Sequence, residues 1–108
     1  MKSRVFVYET LKNPDVMSKV LGRTLNHTVA HAVNEKKVPI LIKGHGLYYT
    51  LRPSAKHLTQ GYVFDVTEGE LQKLDDWEDR YVRRPVELDD GDMAYAYILE
   101  NTYAKGPA

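Results

Sequence analysis

No cysteine occurs in the 108 residues. Disulfides, thiolate metal sites and a cysteine nucleophile are therefore excluded. Net charge is also missing, since fifteen basic residues balance fifteen acidic ones. No global field draws nucleic acid or an anionic membrane to the chain. Long apolar runs are absent as well. The apolar stretch Val5-Phe6-Val7-Tyr8 is interrupted by Glu9, too early for a signal peptide, and no stretch nears the roughly 20 apolar residues of a membrane span. The chain contains no Gly-rich phosphate loop, nucleophile elbow or zinc signature. A cytoplasmic location fits these absences.

Apolar residues make up 43% and charged residues 28%, a globular balance and not a disordered one. The length suits one domain over residues 1–108, with room for a core and one small pocket.

Val5 to Tyr8 is β-branched and aromatic, and reads as a buried strand. Asn13-Pro14 starts a helix, with Asn13 as N-cap and proline in the first position. Val16, Val20 and Leu21 share its apolar face, and Gly22 ends it. From Arg23 to Val38, strand formers surround a solvated turn at Glu35-Lys36-Lys37. Pro39 to Leu51, with Gly44 and Gly46, reads as loop holding one or two short strands.

Tyr62 to Val66 is a strand. Thr67 with Glu70 three residues later forms a capping box. The helix it opens runs to about Glu78, with Leu71, Leu74 and Trp77 as apolar positions. Tyr81–Leu88 and Met93–Leu99 form a hairpin around Asp90-Gly91. The order predicts an α+β domain: a small mixed β-barrel-like sheet, closed or strongly curled, with flanking helices.

Glu78 lies four residues after Leu74 and seven after Leu71, so a carboxylate continues an apolar stripe. Partial burial and the negative end of the helix dipole both raise its pKa, which suits proton transfer near neutrality. The position also suits a solvated glutamate at a frayed helix end, and periodicity does not choose between them. The turn Tyr8-Glu9-Thr10-Leu11 joins a buried strand to a helix and exposes backbone N–H groups able to bind an oxyanion. An ordinary connecting turn has the same pattern. Tyr81 and Arg83 alternate on one strand face, and Arg83 suits a carboxylate on substrate or protein. His27 and His31 are four apart but in strand-like sequence, without a third ligand. No metal site is expected. Asp89-Asp90-Gly91-Asp92 lacks the spacing of a calcium loop.

Together these segments resemble the gamma-glutamylcyclotransferase-like family. Its first motif, Tyr-Gly-Ser/Thr-Leu after strand one, is matched by Tyr8-Glu9-Thr10-Leu11, with Glu9 in place of glycine. Its second, Leu-Asp-x-x-Glu with a Tyr and an Arg shortly after, is matched by Leu74-Asp75-Asp76-Trp77-Glu78, then Tyr81 and Arg83. Gly61 to Val66 and Ala94 to Tyr97 resemble its flanking strands. The resemblance covers the first twenty or so residues and nearly all of 61–99.

The resemblance implies an enzyme that releases 5-oxoproline from a small gamma-glutamyl amine without a cofactor. Glu78 would be the general acid/base. Tyr8, Glu9, Thr10 and Leu11 would hold the glutamyl part through backbone N–H groups. Tyr81 and Tyr97 would line the cavity, with Arg83 beside them. A carboxylate at position 9 is expected to repel anionic leaving groups and to lack glycine's access to positive φ. The alternative is a non-catalytic protein of this fold that binds a small metabolite or a partner.

Overall fold

The computed structural model describes residues 2–100. Strand β1 spans Lys2–Val7, helix α1 Pro14–Leu21, β2 Thr28–Ile42, β3 Gly46–Thr67, α2 Glu68–Trp77, β4 Val82–Glu87 and β5 Met93–Ile98. A single 3-10 turn, Thr10–Lys12, joins β1 to α1. The sheet order is β2-β3-β1-β5-β4, with β1 and β5 parallel and the other pairs antiparallel. The result is a mixed sheet curled into a half-barrel with two helices. Its edges touch at one point, where Ala32 bridges Leu88 and Asp89 N–H donates to the His31 carbonyl.

Strand β1 is buried on both faces, which is why its apolar run is continuous rather than alternating. Val5 and Val7 face α1 and α2, packing with Leu11, Met17, Leu71 and Leu74. Phe6 and Tyr8 face the inside of the curl, among Ala30, Ala32, Val86, Ala94 and Ala96. Small residues on the facing strands leave room for the Phe6 ring.

The helix signals act as read. The Asn13 side chain accepts from Asp15 N–H, Pro14 opens α1, and Gly22 closes it at φ 79°. Thr67 and Glu70 form the reciprocal capping box of α2. Glu70 also takes the Arg23 guanidinium, and that partner holds its carboxyl down, from the usual 4.5 to about 2. A depressed carboxylate adds stability above its unfolded pKa and loses it as pH falls toward the folded value. Glu70→Gln keeps the cap but not the charge. It should cost about 1 kcal/mol at neutral pH, because Arg23 is half exposed and solvent screens the pair. Denaturant melts of both proteins should draw together as pH falls from about 4.5 and converge at about pH 2. A gap independent of pH would assign the loss to capping alone.

Three expectations need correction. Glu35-Lys36-Lys37 is not a turn but lies inside β2. Residues 39–51 are not loop: they are the outer half of one long β2–β3 hairpin, turning at residues 43–45 with Gly44 and Gly46 at positive φ. Trp77 is 43% exposed and is no core position. At about 100° per residue it lies roughly 120° from Leu71, off the buried stripe.

The hairpin changes direction where residues 54–57 of β3 stand against the single Asn34 of β2. Asn34 adopts φ 59° and Lys56 φ 68°. The Asn34 side chain accepts from Lys56 N–H at 2.9 Å, and Thr59 Oγ1 donates to the Glu35 carbonyl at 2.8 Å. Such a bulge bends and twists a strand. Beyond it, the outer arm lies beside β5: Thr50 and Leu51 are buried, and Leu99 N–H donates to Thr50 Oγ1 at 2.8 Å.

Candidate active site

Glu78 is the C-cap of α2, its N–H donating to the Leu74 carbonyl at 2.9 Å. Leu71 and Leu74 are 2% and 0% exposed, so the stripe that Glu78 continues is the one the sheet covers. The side chain lines a cavity of about 220 Å³. The turn Tyr8, Glu9, Thr10 and Leu11 forms one side of it, and Tyr81 and Tyr97 contribute from β4's approach and from β5. Residues far apart in the chain thus converge around one carboxyl. The cavity falls below the roughly 300–1,000 Å³ of drug-sized ligand pockets, which suits an amino-acid-sized group.

Burial pushes the Glu78 carboxyl up to about 7, and the neighbouring Asp79 charge adds to it. Among the described residues, no side chain or N–H donates a hydrogen bond to stabilise its anion. The tyrosines stay neutral. Burial and the nearby Glu78 charge raise Tyr81 to about 12, and burial, mainly, raises Tyr8 and Tyr97 further. Their hydroxyls are committed as donors: Tyr8 to the Tyr97 carbonyl at 2.5 Å, Tyr81 to the Tyr49 carbonyl at 2.9 Å, and Tyr97 to Asp75 Oδ1 at 2.8 Å.

Arg83 is placed differently from the expectation. It is not among the cavity's lining residues. Its Nε lies 3.5 Å from Asp75 Oδ1, the oxygen that receives the Tyr97 hydroxyl. The protein's own Asp75 carboxylate is therefore a partner of Arg83. Arg83 orients Asp75, and Asp75 orients Tyr97.

Glu9 sits where the turn is compatible with a side chain. Its φ of −142° is not the left-handed region that favours glycine. Its carboxylate is not a bare charge either: Lys37 Nζ stands 2.7 Å from Glu9 Oε2.

Sequence reasoning missed one wall altogether. Leu47, Tyr48 and Tyr49, from the outer hairpin arm, line the cavity opposite the turn. Alternation of Tyr48 and Thr50 with their neighbours hinted at strand, but nothing local showed where the arm would lie. Glu78, Thr10, Tyr48 and Tyr81 also line an adjoining hollow of about 260 Å³, with Trp77, Asp79 and Arg80. A larger hollow, about 440 Å³, lies away from Glu78 between Lys2, Arg4, Arg23 and His27. Its arginines are already paired, Arg4 with Asp90 and Asp92, Arg23 with Glu70.

The two spaced histidines do not converge. His27 stacks on Tyr62 at 4.0 Å between ring centroids, while His31 Nδ1 lies 3.0 Å from Asp89 Oδ2. Among the described residues, no group of three His, Asp or Glu side chains is arranged to hold a metal ion. No helix there is long and apolar enough to cross a membrane.

Residues 5–107 match the sequence profile of the family described as gamma-glutamyl cyclotransferase, AIG2-like. Among solved structures, one Arabidopsis thaliana protein is 31% identical over 93% of this chain and 70% of its own, with a TM-score of 0.77. A second A. thaliana protein is 26% identical over 94% of this chain, also with a TM-score of 0.77. The present chain spans only 64% of that protein's length. A structure titled gamma-glutamyl cyclotransferase matches at 17% identity with a TM-score of 0.75, over 94% of this chain and 68% of its own, a likeness of fold alone. No curated protein matches the sequence significantly.

Proposed function

The chain belongs to the gamma-glutamyl cyclotransferase, AIG2-like family, and on that basis we propose that it releases 5-oxoproline from a gamma-glutamyl amine. The α-amine of the glutamyl group attacks its own γ-carbonyl carbon. A bond forms between that nitrogen and that carbon, and the bond from the carbon to the leaving nitrogen breaks. Two protons leave the attacking ammonium nitrogen as it becomes the ring N–H, and two arrive on the departing nitrogen, which leaves as an ammonium. No water and no redox partner are consumed.

The observation that carries this reading is the Glu78 carboxyl, held near 7 by burial inside an amino-acid-sized cavity. A group poised there takes a proton and returns it with little penalty in either direction. The attack is intramolecular, so holding the substrate in a folded shape supplies much of the rate; effective molarities reach about 10⁵ M or more. The apolar and tyrosine-lined parts of the wall suit that task. Backbone N–H groups of the Tyr8–Leu11 turn would meet the negative charge growing on the γ-carbonyl oxygen. Arg83 acts through Asp75 and Tyr97, outside the reacting atoms.

Incubation with a panel of gamma-glutamyl amines tests the proposal. Equimolar 5-oxoproline and free amine are expected from at least one. Glutamate in place of 5-oxoproline would show that water, not the α-amine, is the nucleophile. Ligand binding without any product would point to the non-catalytic alternative.

A further inference from the structure

Among the described residues, the cavity has no cation in its lining; its charged side chains are Glu9 and Glu78, both acidic. A gamma-glutamyl group nevertheless brings an α-carboxylate, which must leave water when the cavity takes it. A carboxylate is desolvated cheaply only beside a positive charge or strong donors. Lys37 stands at the rim. Its ammonium reaches three features of the lining at once: Glu9 Oε2 at 2.7 Å, the Tyr8 carbonyl at 3.5 Å and the face of the Tyr49 ring at 5.0 Å. Lys37 and Glu9 are 37% and 43% exposed, so an incoming ligand can reach both and exchange partners.

We infer that Lys37 is the anchor for the substrate's α-carboxylate, and that Glu9 holds that place in the empty site. The inference rests on the reading that a gamma-glutamyl compound occupies this cavity. The ion pair explains how a glutamate is tolerated at the rim: its charge is cancelled by the group the substrate needs. It also makes Glu9 a competitor. A substrate carboxylate must share Lys37 with Glu9, against the repulsion of like charges, or displace it, and either weakens binding relative to a chain with an uncharged residue there. Lys37 comes from the middle of β2, which the bulge at Asn34 carries over the turn. Other cations nearby are engaged elsewhere: Arg80 leans over the Tyr48 ring at 5.4 Å and donates to His45 Nδ1, Arg52 donates to Thr50 Oγ1 and the Leu51 carbonyl, and Arg83 pairs with Asp75.

The test compares ligands that differ only in the carboxylate. Binding of 5-oxoproline and of its primary amide, 5-oxoprolinamide, is measured by calorimetry on the full chain. The natural protein should favour the acid by about fivefold, the scale of a partly exposed charge-assisted hydrogen bond. Lys37→Met should bring the ratio to about one, and Lys37→Arg should preserve it. Glu9→Gln should raise the ratio severalfold, and in the double variant with Lys37→Met that gain should vanish. A merely structural staple between arm and turn would alter thermal stability but not this ratio. Equal ratios in the natural protein and Lys37→Met, or loss of discrimination in Arg80→Gln instead, overturn the assignment. So does failure of the acid to bind at all. Turnover of gamma-glutamyl amines is followed separately. Turnover with a ratio indifferent to Lys37 rejects the anchor alone. A Lys37-dependent ratio without turnover keeps the anchor and rejects the cyclotransferase reading.

Discussion

Glu78→Gln is expected to lower turnover by about 10²–10⁴-fold, the usual contribution of a general acid/base group. Glutamine is nearly isosteric and keeps the cavity's shape, but it neither accepts nor returns a proton. In the natural protein kcat/KM should rise as pH passes through about 7, because the base must be ionised to take the ammonium proton. That rising limb should be missing from the variant's residual activity. Stability should move the other way. A carboxyl raised from 4.5 to about 7 favours the folded state while protonated, and that contribution disappears as pH climbs through the folded value. Glutamine cannot ionise, so the variant should be more stable by roughly 2 kcal/mol at about pH 8 and equal at about pH 4. Measurable gain of stability with loss of turnover identifies a strained functional group rather than a structural one. Unchanged activity would hand the proton transfer to another residue.

Among the described glycines, Gly61→Ala should be the most damaging substitution by alanine. A Cβ there would lie 2.4 Å from the Val7 carbonyl oxygen and 2.6 Å from Phe6 Cζ. Neither can yield: Val7 is laddered to Tyr62 on β3, and the Phe6 ring is fully buried inside the curl. Gly61 therefore marks where β3 crosses close over β1 as the sheet coils. Overpacking of this kind costs about 3 kcal/mol, at the upper end of the common range. For a domain of this size the midpoint should fall by roughly 15 °C in a thermal melt. Phe6 and Val7 also line the cavity, so binding should suffer with stability. Gly69→Ala is the contrast, since nothing lies within 4 Å of its Cβ and alanine is the better helix former. If both variants melt alike, β1 is free to shift and the crossing is not tight.

The two motifs that suggested the site are short and local, and their caps and turns follow from backbone chemistry that a sequence displays directly. Asn13-Pro14, Thr67 with Glu70, and Asp90-Gly91 each cap or turn the chain through neighbours within a few residues. Glu78 was legible for the same reason, because a helix places residues four and seven apart on one face. The long hairpin was not legible. Its pairing joins Glu35 to Pro53 and Ile42 to Gly46, and exposed Leu41 beside buried Ile42 breaks the apolar alternation that betrays a strand. For Arg83, strand alternation names a face and not which carboxylate lies beside it, so the contact with Asp75 came only from the structure. Lys37 drew no notice in what read as a solvated turn.

By itself, then, the amino-acid order determined the helices and their caps, the buried first strand, the family motifs and the stripe ending in Glu78. These depend on steric and hydrogen-bonding preferences acting over one or two helical turns. The tertiary structure decided what surrounds that carboxyl: a turn from residues 8–11, a wall of Leu47, Tyr48 and Tyr49, and a lysine cancelling the charge at position 9. Those placements depend on the register of a bent hairpin and on the curl that brings Ala32 to Leu88. Such contacts are set by the burial of surfaces distant in sequence, and no local preference encodes them.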